Sequence, residues 1–171
     1  MTFDFEKHLI GEINQDFNLN TREENRVATS ILAQQAKRTI HIFSHKLDNS
    51  IYDNSDFLDA VTRLAIRSRH TKVQILIKDT QPIIKNGHRI IETSRRVSSK
   101  IQIRKVNEDF RDFAYGYIAV DETALLYRKV AGRYEAKLNF NASGDARILV
   151  RKFDEVWRTS SPEPMLKHLH I

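Results

Sequence analysis

One run of apolar residues, the segment 72–78 with the sequence KVQILIK, constrains the fold of this chain more than any other. Its β-branched residues favour a strand. Its nearly continuous apolar character is typical of a strand buried on both faces, as in parallel sheets covered by helices. The segments 39–44 (TIHIFS) and 101–106 (IQIRKV) also have strand character. We therefore expect an α/β domain with these strands at its centre.

Helical patterns separate these strands along the chain. The residues 21–24 (TREE) have the spacing of a capping box, and a helix is expected over about 22–37. A second helix is expected to be capped by Asp53 or Ser55 and carries apolar residues at helical spacing. A third is expected over about 84–98. Helices that alternate with strands indicate a parallel core with crossover helices.

The pattern changes after residue 106. The segments 113–120 and 124–130 are predicted strands joined by a hairpin-length loop, a further strand is predicted over 134–140, and a last helix ends at Trp157. These later strands make the sheet mixed, so we predict a single α/β domain with a mixed, mainly parallel sheet flanked by helices. The predicted organisation is an N-terminal extension (1–20), the α/β domain (21–158) and a C-terminal tail (159–171).

The positive charge of the chain is concentrated in one segment. The formal net charge is +6, but residues 61–105 carry twelve basic and two acidic side chains, whereas residues 1–60 have an excess of four acidic ones. Residues 106–171 carry equal numbers of each sign. Such a bias suggests an anionic partner, although solubility alone also accounts for it.

Composition excludes several classes of protein. The chain has no cysteine, which excludes a disulfide scaffold, a thiolate zinc site and a cysteine nucleophile. No apolar run approaches the roughly 18 residues that a spanning helix needs. The first residues, which include Asp4 and Glu6, do not have the pattern of a signal peptide. We expect a cytoplasmic protein with no membrane span.

The order of elements resembles that of a known family. The segments 33–49 and 71–79 resemble the first half of a phospholipase D-like domain, and the segments 113–130 and 141–157 resemble its second half. The resemblance covers residues 25–158 and is greatest to small bacterial members of that superfamily. It implies a phospholipase D-like fold and relatedness to proteins that act on phosphodiester substrates.

The resemblance also implies where a catalytic site should lie. Active members share His-x-Lys, four further residues and then Asp: the His attacks phosphorus, the Lys neutralises phosphate oxygens, and the Asp supports the site without a metal or other cofactor. When Asp121 is aligned to the Asp of the motif, Ala114 and Gly116 occupy the His and Lys positions. The downstream Gly-Ser box of the family falls at Arg128 and Lys129. We therefore expect a degenerate, non-catalytic member.

The basic segment supplies the candidate binding residues. Arg63 and Arg67 are one helical turn apart, as are Lys85 and Arg89, so each pair shares a helix face. If the second and third helices flank the same face of the sheet, their charges can form one surface; otherwise the charges are merely distributed. The candidate anion-binding residues are Arg63, Arg67, Lys85, Arg89, Arg96, His45 and Lys46.

Three hypotheses for function follow. The first is a non-catalytic domain that binds nucleic acid or another phosphate-bearing ligand through its basic segment. The second is a homodimer or protein-interaction module, since the resemblance implies that single-motif members pair two copies around a two-fold axis. The third is an enzyme that uses unrecognised residues near His41, His45 and Asp79.

Other polar and aromatic residues have simpler interpretations. His88 is expected to be solvated on the third helix, and His168 and His170 lack the companions that a metal site requires. Four tyrosines near the hairpin are the aromatic residues best placed for exposure, but core or interface packing is the favoured interpretation for them too; they are Tyr115, Tyr117, Tyr127 and Tyr134.

Overall fold

The computed structural model describes residues 2–167, and their strands form one mixed sheet. The strands are β1 (Phe17–Leu19), β2 (Thr39–Ser44), β3 (Lys72–Ile77), β4 (Ile101–Lys105), β5 (Gly116–Val120), β6 (Ala124–Arg128) and β7 (Ala136–Asn139). Their order across the sheet is β1-β7-β6-β5-β2-β3-β4. The predicted α/β class and mixed sheet are confirmed.

The predicted excess of parallel strands is wrong. In the described sheet β2 pairs with β3 and β3 with β4 in parallel, whereas the other neighbouring pairs are antiparallel. The reason is connection length. The strands from β5 to β7 follow one another through short loops, which cannot make the crossover that a parallel pair needs.

Helices cover both faces of the sheet. They are α1 (Arg22–Gln35), α2 (Asn49–Tyr52), α3 (Ser55–Arg67), α4 (Gln81–Asn86), α5 (Arg89–Arg96), α6 (Ser143–Thr159) and α7 (Pro164–Lys167), with short 3-10 helices at Asp4–Lys7 and Glu108–Phe110. Apolar residues of α1, α3 and α5 share one core with the sheet, whereas α6 packs on the opposite face. The second and third predicted helices therefore flank the same face.

Helix starts follow local hydrogen bonds. The predicted capping box of α1 is formed, since the Glu24 amide donates to Thr21 Oγ1 and the Thr21 amide donates to the Glu24 carboxylate, each at 3.1 Å. The cap of α3 is Asn54, whose Oδ1 accepts from the Phe57 amide at 3.0 Å. The prediction of Asp53 or Ser55 as this cap is therefore wrong by one residue.

The predicted third helix is two helices. It breaks at Gly87, which has φ of +79°, a conformation that favours glycine. His88 then begins α5 as its N-cap, and its Nδ1 accepts from the Ile90 amide at 3.1 Å. This role buries the His88 side chain to 2% exposure, so the expectation that it is solvated is wrong.

Both ends of the described chain contact the sheet. Residues 1–20, predicted as an extension, supply β1, which pairs with β7 and buries Leu19. In the predicted tail, Ser161 forms a bridge with Lys105 of β4. His168 and His170 lie outside the described residues. Within residues 2–167, no helix combines the length and apolar content needed to cross a bilayer.

Candidate functional site

A cavity of about 460 Å³ lies where β2 ends, and we call it the β2 cavity. Its acidic, basic and histidine lining residues are His45, Lys46, Asp48, Arg128 and Arg133. In open α/β sheets, ligands commonly bind outside the carboxyl ends of the parallel strands, and β2 is one of these. The position and the basic lining make this cavity a candidate binding site for a small anion.

Arg128, the last residue of β6, is the most unusual side chain of the β2 cavity. It is only 5% exposed, and its Nε donates to Asn25 Oδ1 at 3.0 Å. The Asn25 amide is itself fixed, because its Nδ2 donates to the carbonyls of Thr21 and Tyr134 at 2.8 and 2.7 Å. Among the described residues, Arg128 Nη2 is buried without a hydrogen-bond partner.

Asp48 is the acidic residue of the β2 cavity, and its carboxylate is already engaged. Oδ1 accepts from the amide and hydroxyl of Ser50 at 2.9 and 2.6 Å, which caps α2. The Tyr134 hydroxyl lies 3.4 Å from Oδ2. Partial burial and the neighbouring charges of Lys78 and Lys46 lower the pKa of His45, which disfavours a charge on this ring. The fixed cations of the cavity are therefore Lys46, Arg128 and Arg133.

The positions aligned to the catalytic His and Lys are at the start of β5. Ala114 is exposed just before the strand, and Gly116 is its first residue. A Cβ atom on Gly116 would lie 3.2 Å from the Phe43 carbonyl oxygen and 3.3 Å from Ala131 Cβ. A longer side chain at this position requires the loop that contains Ala131 to move.

Asp121, the third aligned residue, lies at the opposite end of β5 from Gly116. It has φ of +54°, and its carboxylate accepts hydrogen bonds from three consecutive amides, those of Lys37, Arg38 and Thr39, at 2.9, 2.7 and 3.0 Å. These bonds tie the β5–β6 turn to the start of β2. Asp121 has a structural role there and does not contact the β2 cavity.

Some of the candidate cations meet at the edge where β3 and β4 begin. These strands are parallel, so the ends of α3 and α5, which precede them, lie at this same edge. Lys100 Nζ donates to the carbonyls of Ser68 and Thr71 at 2.9 and 3.3 Å, which joins the two turns. We call the resulting group the basic edge; its members are Arg67, Arg69, Lys72, Arg96 and Lys100.

The remaining candidates lie elsewhere. Arg63 is exposed on α3, one turn before Arg67. Lys85 and Arg89 belong to α4 and the start of α5, towards the other edge, and Arg89 Nε forms an ion pair with Asp53 at 2.7 Å. His45 and Lys46 line the β2 cavity. The seven predicted residues therefore do not form one continuous site.

Of the residues of the enzyme hypothesis, His45 and Asp79 are neighbours, since the Asp79 amide donates to the His45 carbonyl at 2.7 Å, whereas His41 lies elsewhere. His41 is 2% exposed and packs on the α6 face against Phe153, with ring centroids 4.9 Å apart. His45 lies at the β2 cavity, and the Asp79 carboxylate accepts from the Gln81 amide at 3.0 Å. Among the described residues, no three or more His, Asp or Glu side chains are arranged to hold a metal ion.

Aromatic side chains line the α6 face of the sheet beside β5. Phe110, Phe113, Tyr115 and Tyr127 are half-buried, and successive ring centroids lie 5.2–6.3 Å apart. We call these four residues the aromatic strip. Tyr117 is buried, because α6 covers it, and its hydroxyl donates to the Leu149 carbonyl at 3.2 Å.

Comparison with known proteins identifies relatives of the fold. Residues 21–169 match a family described as a domain of unknown function, DUF7931. No curated protein matches the sequence. The structure of Nuc from Salmonella typhimurium, a phospholipase D family member, is 14% identical, with a TM-score of 0.61 over 87% of this chain and 99% of Nuc. NucT from Helicobacter pylori is 12% identical, with a TM-score of 0.60 over 88% of this chain and 100% of NucT.

A third similar structure is a DNA-binding protein. TrmBL2, an archaeal chromatin protein described as showing a novel mode of DNA binding, is 19% identical, with a TM-score of 0.61 over 89% of this chain. The chain spans only 55% of the length of TrmBL2. At these identities the likeness concerns the fold, and it confirms the predicted phospholipase D-like architecture.

Proposed function

Because the chain belongs to the DUF7931 family and has a phospholipase D-like fold, we propose that it is a non-catalytic domain that binds nucleic acid through the phosphate backbone. The observation that carries this proposal is the basic edge, where the ends of α3 and α5 bring five cations together. The DNA binding described for TrmBL2 is consistent with it. Ala114 and Gly116 supply neither a nucleophile nor a phosphate clamp, which supports a non-catalytic role.

The basic edge has the properties that backbone binding requires. Arg67, Arg69, Lys72 and Arg96 are exposed, and no ion pair engages them among the described residues. Contact of such cations with phosphates releases condensed counterions, so affinity should fall steeply as salt is raised.

A charge-reversal experiment tests the proposal. The triple variant Arg67→Glu, Lys72→Glu and Arg96→Glu is compared with a control, Arg147→Glu, Arg151→Glu and Arg158→Glu, in which three exposed arginines of α6 on the opposite face are reversed. Both variants change net charge equally. Labelled DNA and RNA are titrated at about 50 and 200 mM salt.

The expected result is selective loss of binding. The basic-edge variant should lose about tenfold or more in affinity, and its salt slope should fall by about 0.9 for each phosphate contact removed. The α6 control should bind as the unaltered protein does. Absence of binding at low salt, or equal losses in the two variants, would refute the proposal.

A homodimer is a second candidate, and the aromatic strip favours it. Grooves of about 370 and 490 Å³ lie beside Tyr127, and their linings combine Lys137 with the acids Asp145 and Glu135. Ile148 of α6, beside the first groove, is 62% exposed. A face with apolar side chains and charges of both signs can pair with its own copy around a two-fold axis.

Two exposed isoleucines provide a matched test of the homodimer. Ile148 lies on α6, whereas Ile66, which is 68% exposed, lies on α3 across the sheet. Light scattering should find a dimer that Ile148→Glu dissociates and Ile66→Glu leaves intact. A monomer at every protein concentration, or a dimer that persists in Ile148→Glu, would exclude this interface.

A further inference from the structure

We propose that the β2 cavity is a binding site for a small phosphate monoester, held by the guanidinium of Arg128. This site is separate from the basic edge, and the inference does not depend on nucleic-acid binding. It rests on an uncompensated buried cation beside a cavity whose other fixed charges are mostly positive.

The first argument concerns the charge of Arg128. Arginine stays protonated in proteins, and a buried ion is costly unless an opposite charge or a full set of hydrogen bonds compensates it. Arg128 forms no ion pair with any described carboxylate, and Nη2 has no partner among the described residues. An anion bound in the cavity would supply the missing charge.

The second argument concerns how Arg128 is held. Asn25 orients the guanidinium through Nε, and the backbone carbonyls of Thr21 and Tyr134 fix the Asn25 amide in turn. A neutral amide positions the cation without neutralising it. Such support preorganises a binding group and leaves its charge for a ligand.

The third argument concerns the class of anion. Lys46 and Arg133 add two cations from separate loops, and the Asp48 carboxylate is held by Ser50. Several fixed cations attract a dianion more strongly than a monoanion, which favours a phosphate monoester over a phosphodiester. A cavity of about 460 Å³ holds a ligand of nucleotide size but not a duplex.

The test uses inorganic phosphate, a nucleoside 5′-monophosphate and the matching 3′,5′-cyclic diester as probes. Melting temperature and calorimetric binding are measured at constant ionic strength, with chloride as the reference anion. Arg128→Met removes the charge and keeps most of the side-chain stem, and Arg147→Met on exposed α6 is its control. The double variant Lys46→Met and Arg133→Met, called the rim variant, changes two exposed residues at the mouth of the β2 cavity without disturbing the core.

Phosphate and the nucleoside monophosphate should raise the Tm of the unaltered protein as their concentration increases. The cyclic diester should raise it only at much higher concentration or not at all. Arg128→Met should fold without phosphate and should lose the phosphate response. The rim variant should weaken that response, whereas Arg147→Met should retain it.

Three results would overturn the proposal. They are no Tm increase beyond that in chloride, an unchanged response in Arg128→Met or in the rim variant, or equal binding of the cyclic diester. If Arg128→Met does not fold, the phosphate response of the rim variant decides the outcome: a weakened response supports the proposal, and an unchanged response overturns it. The basic-edge triple variant should respond to phosphate normally, so the failure of either proposal is distinguishable from failure of the other.

Discussion

Two buried histidines should make the stability of this protein fall in mild acid. His41 packs under α6, and His88 caps α5; each is 2% exposed. Burial is the main cause that lowers the pKa of each ring from 6.5 to about 4, opposed in part by the charges of Asp154 near His41 and Asp53 near His88.

The direction of the effect follows from proton binding. The folded pKa lies below the unfolded value, so between pH 6.5 and about 4 the unfolded chain binds protons that the folded protein does not. Stability is therefore complete above about pH 7 and is lost as pH falls. At about 1.4 kcal/mol per pH unit, each histidine costs about 2 kcal/mol at pH 5, or about 4 kcal/mol for both.

Urea unfolding at pH 7.5 and pH 5 measures this loss. Trp157 is the only tryptophan of the chain and is buried against Phe153, so its fluorescence reports unfolding. His41→Leu removes one titrating ring, and His88→Asn removes the other while keeping an acceptor for the cap of α5. Each variant should reduce the pH-dependent loss by about 2 kcal/mol.

The exposed ring of His70 supplies the control, because His70→Asn should leave the loss unchanged. For each variant, the quantity to compare is the difference in the free energy of unfolding between pH 7.5 and pH 5, not the free energy at either pH. If His41→Leu and His88→Asn lose as much stability as the unaltered protein between pH 7.5 and pH 5, the reasoning from burial is refuted.

Three single substitutions test structural roles by urea unfolding, and one double variant tests for catalysis. Asp121→Ala removes three charge-assisted hydrogen bonds and should destabilise the protein by about 3 kcal/mol; a loss below about 1 kcal/mol would contradict the role assigned to it. Gly116→Lys should cost about 1–3 kcal/mol because of contact with Ala131, and Ala114→His with Gly116→Lys should not cleave bis(p-nitrophenyl) phosphate; cleavage would refute this expectation. Thr21→Ala should cost about 1 kcal/mol through loss of the cap of α1, and an unchanged midpoint would contradict that.

Local patterns predicted most of the elements. The apolar runs marked β2, β3 and β4, and the capping box marked the start of α1, because each signal lies within a few consecutive residues. The break at Gly87 was missed because apolar residues continue at near-helical spacing on both sides of it. That break turns His88 from a helix-surface position into a buried cap.

The candidate site was only partly accessible to sequence reasoning. His45 and Lys46 were identified because they directly follow a predicted strand. Arg128 was noticed only as a departure from a motif, and Arg133 was not proposed at all. Their significance depends on Asn25, about a hundred residues earlier in the chain, and on a cavity formed by separate loops. No local pattern reports contacts across such a separation.

The hydrogen bonds of Asp121 have a consequence for how the two halves of the sheet align. They hold the turn after β5 against the residues that enter β2, and this pair of strands is where the parallel and antiparallel parts meet. Side chains alternate along a strand, so a slip of one residue there would move Tyr117 and Ile118 to opposite faces. Asp121 therefore helps to fix the register in which β2 and β5 pair. Its loss should favour misaligned pairing during folding and should also destabilise the native state.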